Sequence, residues 1–364
     1  MAKRGENIYK RKDGRWEGRY KNGFKADDTV KYSSIYGKTY TDVRNILIKK
    51  KSDQKSNKIP CKCTFGELAD LWINNIQSSV KESTYANYML KLEKHINPAF
   101  KSIRYEKLTA ETLNTFINQK IADGLSAKYV SDIMSVIKAV CKFAHKQYNY
   151  EDKSENIIIP RSAKTEKKIL NSKEQTLLNK YLINNPSSSN IGILLSIIIG
   201  IRIGELCALK WGDIDIEKRI VTVRHTVQRI KNFNSDTATK IVITAPKSST
   251  SFREIPIPEF IIPILEKLRT SDNCYLLSGN ENITEPRTMQ YRFKSILKKL
   301  NLPNVNYHSL RHAFATNAII VGFDVKTLSE ILGHSSVEIT MNRYVHSSMM
   351  RKIECMKLMS GCFI

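Results

Sequence analysis

Residues 307–316 read YHSLRHAFAT, and residues 332–346 read LGHSSVEITMNRYVH. In the first segment His308 and Arg311 are three positions apart, so a helix brings both side chains to one face. The second segment supplies Tyr344, whose phenol oxygen can act as a nucleophile once neighbouring cations favour its ionised form. The two segments together predict a mainly helical domain whose side chains surround one phosphate group.

Two further segments add cations to this set. Arg202 lies in residues 200–211, GIRIGELCALKW, and Lys247 lies in residues 246–257, PKSSTSFREIPI. His334 is the second histidine of the set and lies ten positions before Tyr344. The set therefore offers guanidinium, ammonium and imidazole donors. Two guanidinium groups can hold the non-bridging oxygens of a phosphodiester and stabilise the charge that develops during in-line attack. This set can cut DNA without a metal, and we expect no cofactor.

The charge balance points to a polyanionic partner. The 364 residues contain 59 Lys and Arg against 35 Asp and Glu, a formal net charge of +24. Nucleic acid is the commonest partner of such a chain, and a merely soluble basic protein is the alternative. No apolar run of about 18 residues occurs, so we expect no membrane span. The N-terminus lacks the apolar core of a signal peptide, which predicts a location in the cytoplasm.

The cysteine pattern does not predict a metal or disulfide framework. Seven cysteines are present, an odd number at irregular spacing. Cys61 and Cys63 form the one close pair, and no second pair stands at the distance of a zinc site. We therefore expect reduced thiols that mostly fill the core.

Residues 1–58 form a small basic segment. Apolar and aromatic residues at 8–11 and 16–20 flank an Asp-Gly turn, and residues 30–36 supply a third strand. Residues 40–52 show the helical spacing of apolar residues. Three strands and one helix make a small domain. A disordered basic arm is the alternative, against which the aromatic residues argue.

Residues 64–159 predict four helices with basic outer faces. Thr64 followed by Glu67 forms a capping box, and the second helix is expected to end before Pro98. Such a bundle suits a DNA clamp. An ordinary helical bundle with solvated lysines is equally consistent with the pattern.

Residues 169–364 form the largest predicted unit, after a charged linker at 151–168. An apolar run at 191–201 predicts a buried helix, and helices are expected again towards the end of the chain. Alternating residues predict strands at 219–229, 239–244 and 252–257. The expected fold class is mixed and mainly α, with a small N-terminal sheet and helix, four central helices, and a mostly helical last domain that contains a small antiparallel sheet.

On these segments the chain resembles the tyrosine recombinases, the family of lambda integrase, Cre and the Xer recombinases. The resemblance is strongest over residues 170–346, which hold the four segments quoted above. The middle of the chain resembles the core-site-binding domain of the family, with KESTYANY at 81–88 as the best local match. The basic start, GENIYKRKDGRWEGRY at 5–20, is similar to the arm-binding domain of integrases from conjugative transposons. The implied domains are 1–58, 64–159, 169–346 and a tail helix at 347–364.

The resemblance implies the chemistry of the site. Tyr344 would attack the scissile phosphate and leave a 3′-phosphotyrosine and a free 5′ hydroxyl. Arg202 and Arg311 would clamp the phosphate, and Lys247 would protonate the departing 5′ oxygen. Lys240 lies near Lys247 in sequence and is the alternative general acid.

The histidines have alternative interpretations. By resemblance, His308 assists proton transfer near the nucleophile and His334 hydrogen-bonds a non-bridging oxygen. His308 and His312 could instead belong to a metal site, but no Glu or Cys stands beside them in a zinc-binding pattern. We interpret His312 as a structural histidine. Glu205 is interpreted as a buried partner that holds Arg202 rather than as an acid–base group.

The resemblance also implies a reaction and its partners. The expected substrate is double-stranded DNA at the ends of a mobile element and at a target site, which the chain would integrate and excise through a Holliday junction. The expected assembly is a dimer that becomes a tetramer on DNA, coupled by the tail 347–364. That tail could equally pack on its own domain. An excision factor or a DNA-bending protein is expected by analogy.

Basic and polar residues outside the site are expected to contact DNA: Lys10, Arg11, Arg15, Arg19, Lys81, Thr84, Tyr88, Lys128 and Lys142. Two other functions use the same features. A type IB topoisomerase shares the catalytic residue types and would nick and reclose one DNA, while a catalytically silent DNA-binding protein would keep only the charge. The basic N-terminal segment and the tail favour the recombinase, and the intact set of catalytic residues argues against the silent protein.

Overall fold

The computed structural model describes residues 7–24, 30–56, 63–155, 157–159, 169–233, 237–245, 252–344, 353 and 356–357. Lys247 and nearly all of the predicted tail helix 347–364 lie outside the described residues. The chain divides into two compact units, Met1–Ala163 and Lys164–Ile364. The finer division of the first unit at residues 58–64 stays a prediction.

The first unit begins with a three-stranded antiparallel sheet and one helix: β1 Ile8–Lys10, β2 Trp16–Phe24, β3 Val30–Gly37 and α1 Tyr40–Ser56. The predicted turn between the first two strands is present, with Gly14 at φ 85°. Gly18 pairs with Ile8 on one side and Ile35 on the other. A Cβ on Gly18 would lie 2.2 Å from the Leu47 side chain, so glycine is what lets α1 lie this close to the sheet.

The remaining helices of the first unit are α2 Phe65–Ile76, α3 Glu82–Lys91, α4 Asn97–Phe100, α5 Ala110–Ala122 and α6 Ala127–Tyr148. The predicted capping box forms, because the Thr64 N–H donates to the Glu67 carboxylate at 2.8 Å and the Glu67 N–H donates to Thr64 Oγ1 at 3.3 Å. The second helix, α3, ends at Lys91, before Pro98 as predicted, and a π-helical turn, Leu92–Ile96, follows it directly. Pro98 lies in the first turn of the next helix, α4, where its missing N–H needs no partner.

The second unit is mostly helical and contains two small antiparallel sheets. Its helices are α7 Ser172–Asn184, α8 Ser188–Ile198, α9 Ile203–Ala208, α10 Ile262–Leu268, α11 Pro286–Lys299, α12 His308–Val321, α13 Val325–Leu332 and α14 Val337–Tyr344. Its strands are β4 Ile214–Asp215, β5 Ile220–Val223, β6 Thr226–Lys231, β7 Thr239–Thr244 and β8 Arg253–Pro256. The predicted fold class, mainly α with small antiparallel sheets, is confirmed.

The single strand predicted at 219–229 is two strands in two sheets. The first of them, β5, pairs with β4 and β8, whereas β6 pairs with β7. The break falls at Arg224 and His225, between Val223, which faces Arg253, and Thr226, which faces Thr244. Alternation of apolar residues reports that a stretch is extended, but it does not report which partner the stretch pairs with.

Gly200 ends the buried helix α8 earlier than residues 191–201 predicted. Its φ is 62°, a left-handed conformation that favours glycine, and a Cβ there would lie 2.4 Å from Phe314. The chain turns at this point and restarts as α9, with Arg202 at the N-cap. The core of the unit encloses this turn, with Leu195 and Trp211 fully buried in it.

Across the described ranges, no helix combines the length and the apolar character that crossing a membrane requires.

Candidate active site

Arg202 is held by the helix that it begins. Its backbone N–H donates to Glu205 Oε2 at 3.0 Å, and its Nη1 donates to Glu205 Oε1 at 2.7 Å. The same carboxylate therefore caps α9 and aligns the guanidinium group. Glu205 is buried, with 6 % of its surface exposed.

A second arginine, Arg253 at the start of β8, binds the same carboxylate. Its Nη2 donates to Glu205 Oε2 at 2.8 Å, and its Nη1 donates to Glu205 Oε1 at 3.3 Å. Burial raises the pKa of Glu205, but Arg253 and Arg202 outweigh burial and lower that pKa on balance. Glu205 is therefore ionised at neutral pH and joins two arginines from distant parts of the sequence.

Arg311 approaches from α12 and is almost wholly buried, with 3 % of its surface exposed. Its Nη1 donates to the carbonyl oxygen of Gly200 at 2.8 Å, and its Nη2 donates to that of Leu332 at 2.6 Å. Burial, followed by repulsion from Arg202, lowers the pKa of Arg311 to about 9. The group stays charged at neutral pH, and an anion bound beside it would offset the cost of burying its charge.

The three arginines converge on the C-terminal end of α13. Arg253 Nε donates to the carbonyl of Ile331 at 2.6 Å, and Arg202 Nη2 donates to that of Gly333 at 2.8 Å. With the bond from Arg311 to Leu332, three consecutive carbonyl groups each accept from an arginine. These carbonyls have no partner inside the helix, so the cations both satisfy them and match the negative end of the helix dipole. These hydrogen bonds hold residues 331–333, which lead to His334, against the arginine cluster.

His334 follows this loop and hydrogen-bonds a fully buried hydroxyl. Its Nδ1 lies 2.8 Å from Thr340 Oγ1. Burial, and then the charges of Arg311 and Arg202, lower the pKa of His334 to about 4. The ring is therefore neutral at neutral pH. When Thr340 donates to Nδ1, the single ring proton of His334 lies on Nε2, which can then donate to an anion.

Tyr344 ends α14, and its phenol oxygen contacts His312. Tyr344 Oη lies 2.7 Å from His312 Nδ1. The Tyr344 ring is also parallel to that of His334, with centroids 6.5 Å apart. Burial raises the pKa of Tyr344, although Arg311 and Arg343 oppose this effect. The interpretation of His312 as a structural histidine is therefore incomplete, because the buried His312 ring touches the candidate nucleophile.

His308 lies one turn before His312 on α12. The two imidazole rings meet edge to face, with centroids 4.7 Å apart. His308 is exposed and lines a cleft of about 790 Å³ together with Arg202. The lining of this cleft also includes Arg229 of β6, which makes two hydrogen bonds of 2.6 Å to Glu285. Five of the six predicted residues thus belong to one contiguous site, and the sixth, Lys247, lies outside the described residues.

Comparison with known proteins identifies the family. Residues 168–351 match the phage integrase family, and residues 64–121 match a phage integrase N-terminal SAM-like domain. The chain belongs to the phage integrase family. The resemblance to tyrosine recombinases drawn from the sequence is thereby confirmed.

Relatives of this phage integrase family member cover most of its length. It is 25 % identical over 330 residues to a tyrosine recombinase XerC-like protein of Caldanaerobacter subterraneus subsp. tengcongensis, across 83 % of this chain and 84 % of that protein. It is 23 % identical over 300 residues to the ICEBs1 integrase of Bacillus subtilis, across 78 % and 79 %. The structure of the Tn1549 transposon integrase in complex with transposon right end DNA shares its fold, with a TM-score of 0.66 at 20 % identity, across 80 % of this chain and 99 % of that one.

Two of the N-terminal arginines of the recombinase that were predicted to contact DNA, Arg11 and Arg19, lie around one buried carboxylate, whereas Arg15 pairs with Asp13 at 2.8 Å. Glu17 accepts hydrogen bonds from Ser34 at 2.7 Å, Arg11 at 3.0 Å and Arg19 at 3.1 Å. The Arg11 and Arg15 guanidinium groups lie over the Tyr36 ring, 5.5 and 5.6 Å from its centroid. This arrangement presents cations beside an aromatic ring on one face of the sheet. Their contact with DNA stays a prediction, as does that of Lys10.

The DNA contacts predicted in the helical part of the recombinase differ in exposure. Lys81 and Lys142 are exposed, and Lys128 is exposed but paired with Asp132 at 3.1 Å. The Tyr88 ring packs against that of Trp72, with centroids 5.4 Å apart, so part of it belongs to the core. Thr84, also part-buried on α3, and these other residues stay predicted contacts.

Sequence reasoning missed three residues of the recombinase site. Arg253 could have been found, because its spacing from Ile255 and Ile257 places a charged residue on the same, inward face of an apolar strand. His312 and Thr340 carry no comparable signal. His312 lies on the 14-residue helix α12 and Thr340 on the 8-residue helix α14. The partner of each is defined only by the packing of α12, α13 and α14.

Proposed function

We propose that this recombinase integrates and excises a mobile DNA element by breaking and rejoining strands through a 3′-phosphotyrosyl intermediate. The observation that carries the proposal is the convergence of Tyr344, His334 and two arginines at the C-terminal end of α13. A nucleophile beside fixed cations is the arrangement that phosphoryl transfer requires. The family assignment supports this function, and it does not favour a nicking–closing topoisomerase or a silent DNA-binding protein.

Arg202 and Arg311 are the proposed clamp on the scissile phosphate. Each guanidinium group has five N–H donors, of which each arginine spends two on protein oxygens. The remaining donors are available to the non-bridging oxygens of a phosphate. Because both side chains are already aligned by carbonyl and carboxylate acceptors, little reorganisation is needed when charge develops in the transition state.

Two histidines are proposed to assist this clamp: His334, which is neutral, and His308, which is exposed. A neutral His334 with its proton on Nε2 would donate to a non-bridging oxygen without adding another charge beside Arg311. His308, which lines the cleft with Arg202 and contacts the His312 ring, would assist proton transfer near the nucleophile. Both roles use side chains that already border the arginine cluster.

Lys247 is the proposed general acid that protonates the departing 5′ oxygen. It belongs to the segment between β7 and β8, and β8 starts at Arg253, which is anchored on Glu205. The segment therefore ends beside the arginine cluster. Lys240 is the weaker candidate, since it lies within β7 and pairs with Ile230. An ammonium group near a developing alkoxide can serve as the acid.

The product of the first step explains how strands are rejoined without ATP. The phosphotyrosine ester keeps the energy of the broken phosphodiester, so the 5′ hydroxyl of a partner strand can attack it and release Tyr344. The proposed substrate is double-stranded DNA at the element ends and at a target site. We propose a dimer on each site and a tetramer at a Holliday junction, with the tail 347–364 joining subunits and an excision factor or DNA-bending protein setting direction.

The test is a nicked duplex that carries the end of the element and loses its cleaved fragment by diffusion. We expect a covalent protein–DNA band on a denaturing gel, formed in EDTA, that Tyr344→Phe abolishes. Tyr181→Phe is the matched control, because that phenol contacts Lys299 away from the site and its loss should leave the band intact.

Two results would overturn the proposal. Tight binding of the nicked duplex without any covalent band would indicate a silent DNA-binding protein. A Tyr344-dependent band with relaxation of supercoiled DNA, but no exchange with a second duplex, would indicate a nicking–closing enzyme.

A further inference from the structure

Two histidines lie one turn apart on α12, and the one that contacts the nucleophile is His312. His312 Nδ1 is 2.7 Å from Tyr344 Oη, whereas His308 faces the cleft. We infer that His312 is a catalytic residue: it accepts the proton of Tyr344 as the phenol oxygen attacks the phosphate. This inference rests on the proposed phosphotyrosine mechanism.

The contact between His312 Nδ1 and Tyr344 Oη can form in either direction, and we assign the phenol as its donor. Burial raises the pKa of Tyr344, so the hydroxyl keeps its proton at neutral pH and can donate it. An imidazole nitrogen that accepts a hydrogen bond has no proton of its own, so in this arrangement the ring proton of His312 lies on Nε2. The lone pair of His312 Nδ1 is therefore directed at the proton that must leave Tyr344.

The packing holds this pair in place. His312 is buried, with 5 % of its surface exposed, and its ring contacts His308 edge to face at 4.7 Å and Tyr344 at 5.6 Å between centroids. Its neighbour Arg311 is tied to the carbonyls of Gly200 and Leu332, which fixes this turn of α12. The proton acceptor and the phosphate clamp thus come from adjacent residues of one helix.

His334 is less suited to take the proton. Its Nδ1 is already bonded to Thr340 Oγ1, and its ring lies parallel to that of Tyr344, 6.5 Å away. A parallel ring presents its face, not a nitrogen lone pair, to the neighbouring ring. His312 therefore contacts the nucleophile, His308 lines the cleft, and His334 lies near the arginine cluster.

The proton balance of the step is complete. In cleavage, a bond forms between Tyr344 Oη and phosphorus, the bond from phosphorus to the 5′ oxygen breaks, and the phenol proton moves to His312 Nδ1. The leaving 5′ oxygen receives a proton from the proposed acid Lys247. In ligation each proton returns: the acid recovers its proton from the attacking 5′ hydroxyl, and His312 returns its proton to the released Tyr344.

The variant that tests this role is His312→Asn. The Asn amide oxygen can occupy the position of Nδ1 and accept the hydrogen bond, but it cannot take up a proton at neutral pH. We expect the rate of covalent-complex formation on the nicked duplex to fall by about 10²–10⁴-fold, the range for loss of a general base. His312→Ala, which removes the hydrogen bond as well, should be no faster, and duplex binding in a mobility-shift assay should match that of the natural chain.

A second substrate separates the two ends of the reaction. A duplex with sulfur in place of the bridging 5′ oxygen has a leaving group that needs no proton. On this substrate we expect Lys247→Ala to regain most of its lost rate and His312→Asn to stay slow, because its defect lies on the nucleophile side.

The outcomes are distinct. A rate for His312→Asn within threefold of the natural chain would overturn the inference and leave His312 as a group that only positions Tyr344. Recovery of His312→Asn on the sulfur substrate would also overturn it, by moving His312 to the leaving-group side. Absence of a covalent band with the natural chain would instead refute the proposed function. If His312→Asn lowers the melting temperature enough to lose duplex binding, the rates are compared at a lower temperature at which both chains bind the duplex.

Discussion

Arg253 is expected to be the main electrostatic anchor of the site, and Arg253→Met tests this. Methionine keeps an unbranched side chain of similar length, so the change removes mainly the guanidinium group. The hydrogen bonds lost include two to Glu205 and one to the carbonyl of Ile331. Both Arg253 and Glu205 are more than nine-tenths buried, so water does not replace these bonds.

The size of the effect follows from what Glu205 retains. Removing one partner of a buried ion pair costs about 3–5 kcal/mol. Glu205 still accepts from the side chain and the backbone N–H of Arg202, so the carboxylate is not left without a partner. We therefore expect the lower end, a loss of about 3 kcal/mol in the free energy of unfolding of the second unit. With the denaturant dependence of a unit this size, that loss lowers the urea midpoint by about 1 M.

Urea unfolding followed by Trp211 fluorescence measures this change. Trp211 is fully buried in the second unit, and Trp16 and Trp72 of the first unit are replaced by Phe so that they do not contribute. The matched control is Arg269→Met, whose ion pair with Asp272 is exposed and should contribute about 0.2–1 kcal/mol.

A double-mutant cycle with Glu205→Gln decides whether the loss belongs to the pair. We expect a coupling free energy of about 1.5–3 kcal/mol between positions 205 and 253. A loss below 1 kcal/mol for Arg253→Met, or a coupling free energy indistinguishable from zero, would refute the reasoning that a buried carboxylate between two arginines organises the site.

Two further predictions concern the histidine beside the clamp. Thr340→Val removes the hydroxyl that orients His334 and should slow covalent-complex formation by about tenfold or more. Thr340→Ser keeps the hydroxyl and should keep most of the rate. Equal rates for the two variants would contradict the role of the Thr340 hydroxyl in orienting His334. The stability of the second unit should fall as pH drops from 6.5 towards 4, because unfolded His334 takes up a proton near its usual pKa while the folded ring, with a pKa of about 4, does not. The contribution of His334 to stability is therefore fully present at pH 7 and smaller at pH 5. His334→Asn should remove this part of the pH dependence, as measured by urea unfolding at pH 7 and pH 5.

Local signals in the sequence predicted the elements well wherever a short-range rule applied. The capping box at Thr64 marks the start of α2, and the Asp-Gly turn sets the first hairpin, because both depend on atoms within four residues of each other. The run at 219–229 shows where such rules stop. Its alternation predicts an extended chain, but the division into β5 and β6 depends on partners that lie as far away as Arg253.

The candidate site shows the same division. The chemical groups of the site can be read from the sequence, and the resemblance to tyrosine recombinases implies phosphoryl transfer by Tyr344 beside His308 and Arg311. Which of these groups touch one another depends on the tertiary structure. The contact of His312 with Tyr344, and of Arg253 with Glu205, joins residues 32 and 48 positions apart. Such contacts arise from the packing of whole helices and strands, to which every residue of the core contributes, so no local pattern of residues records them.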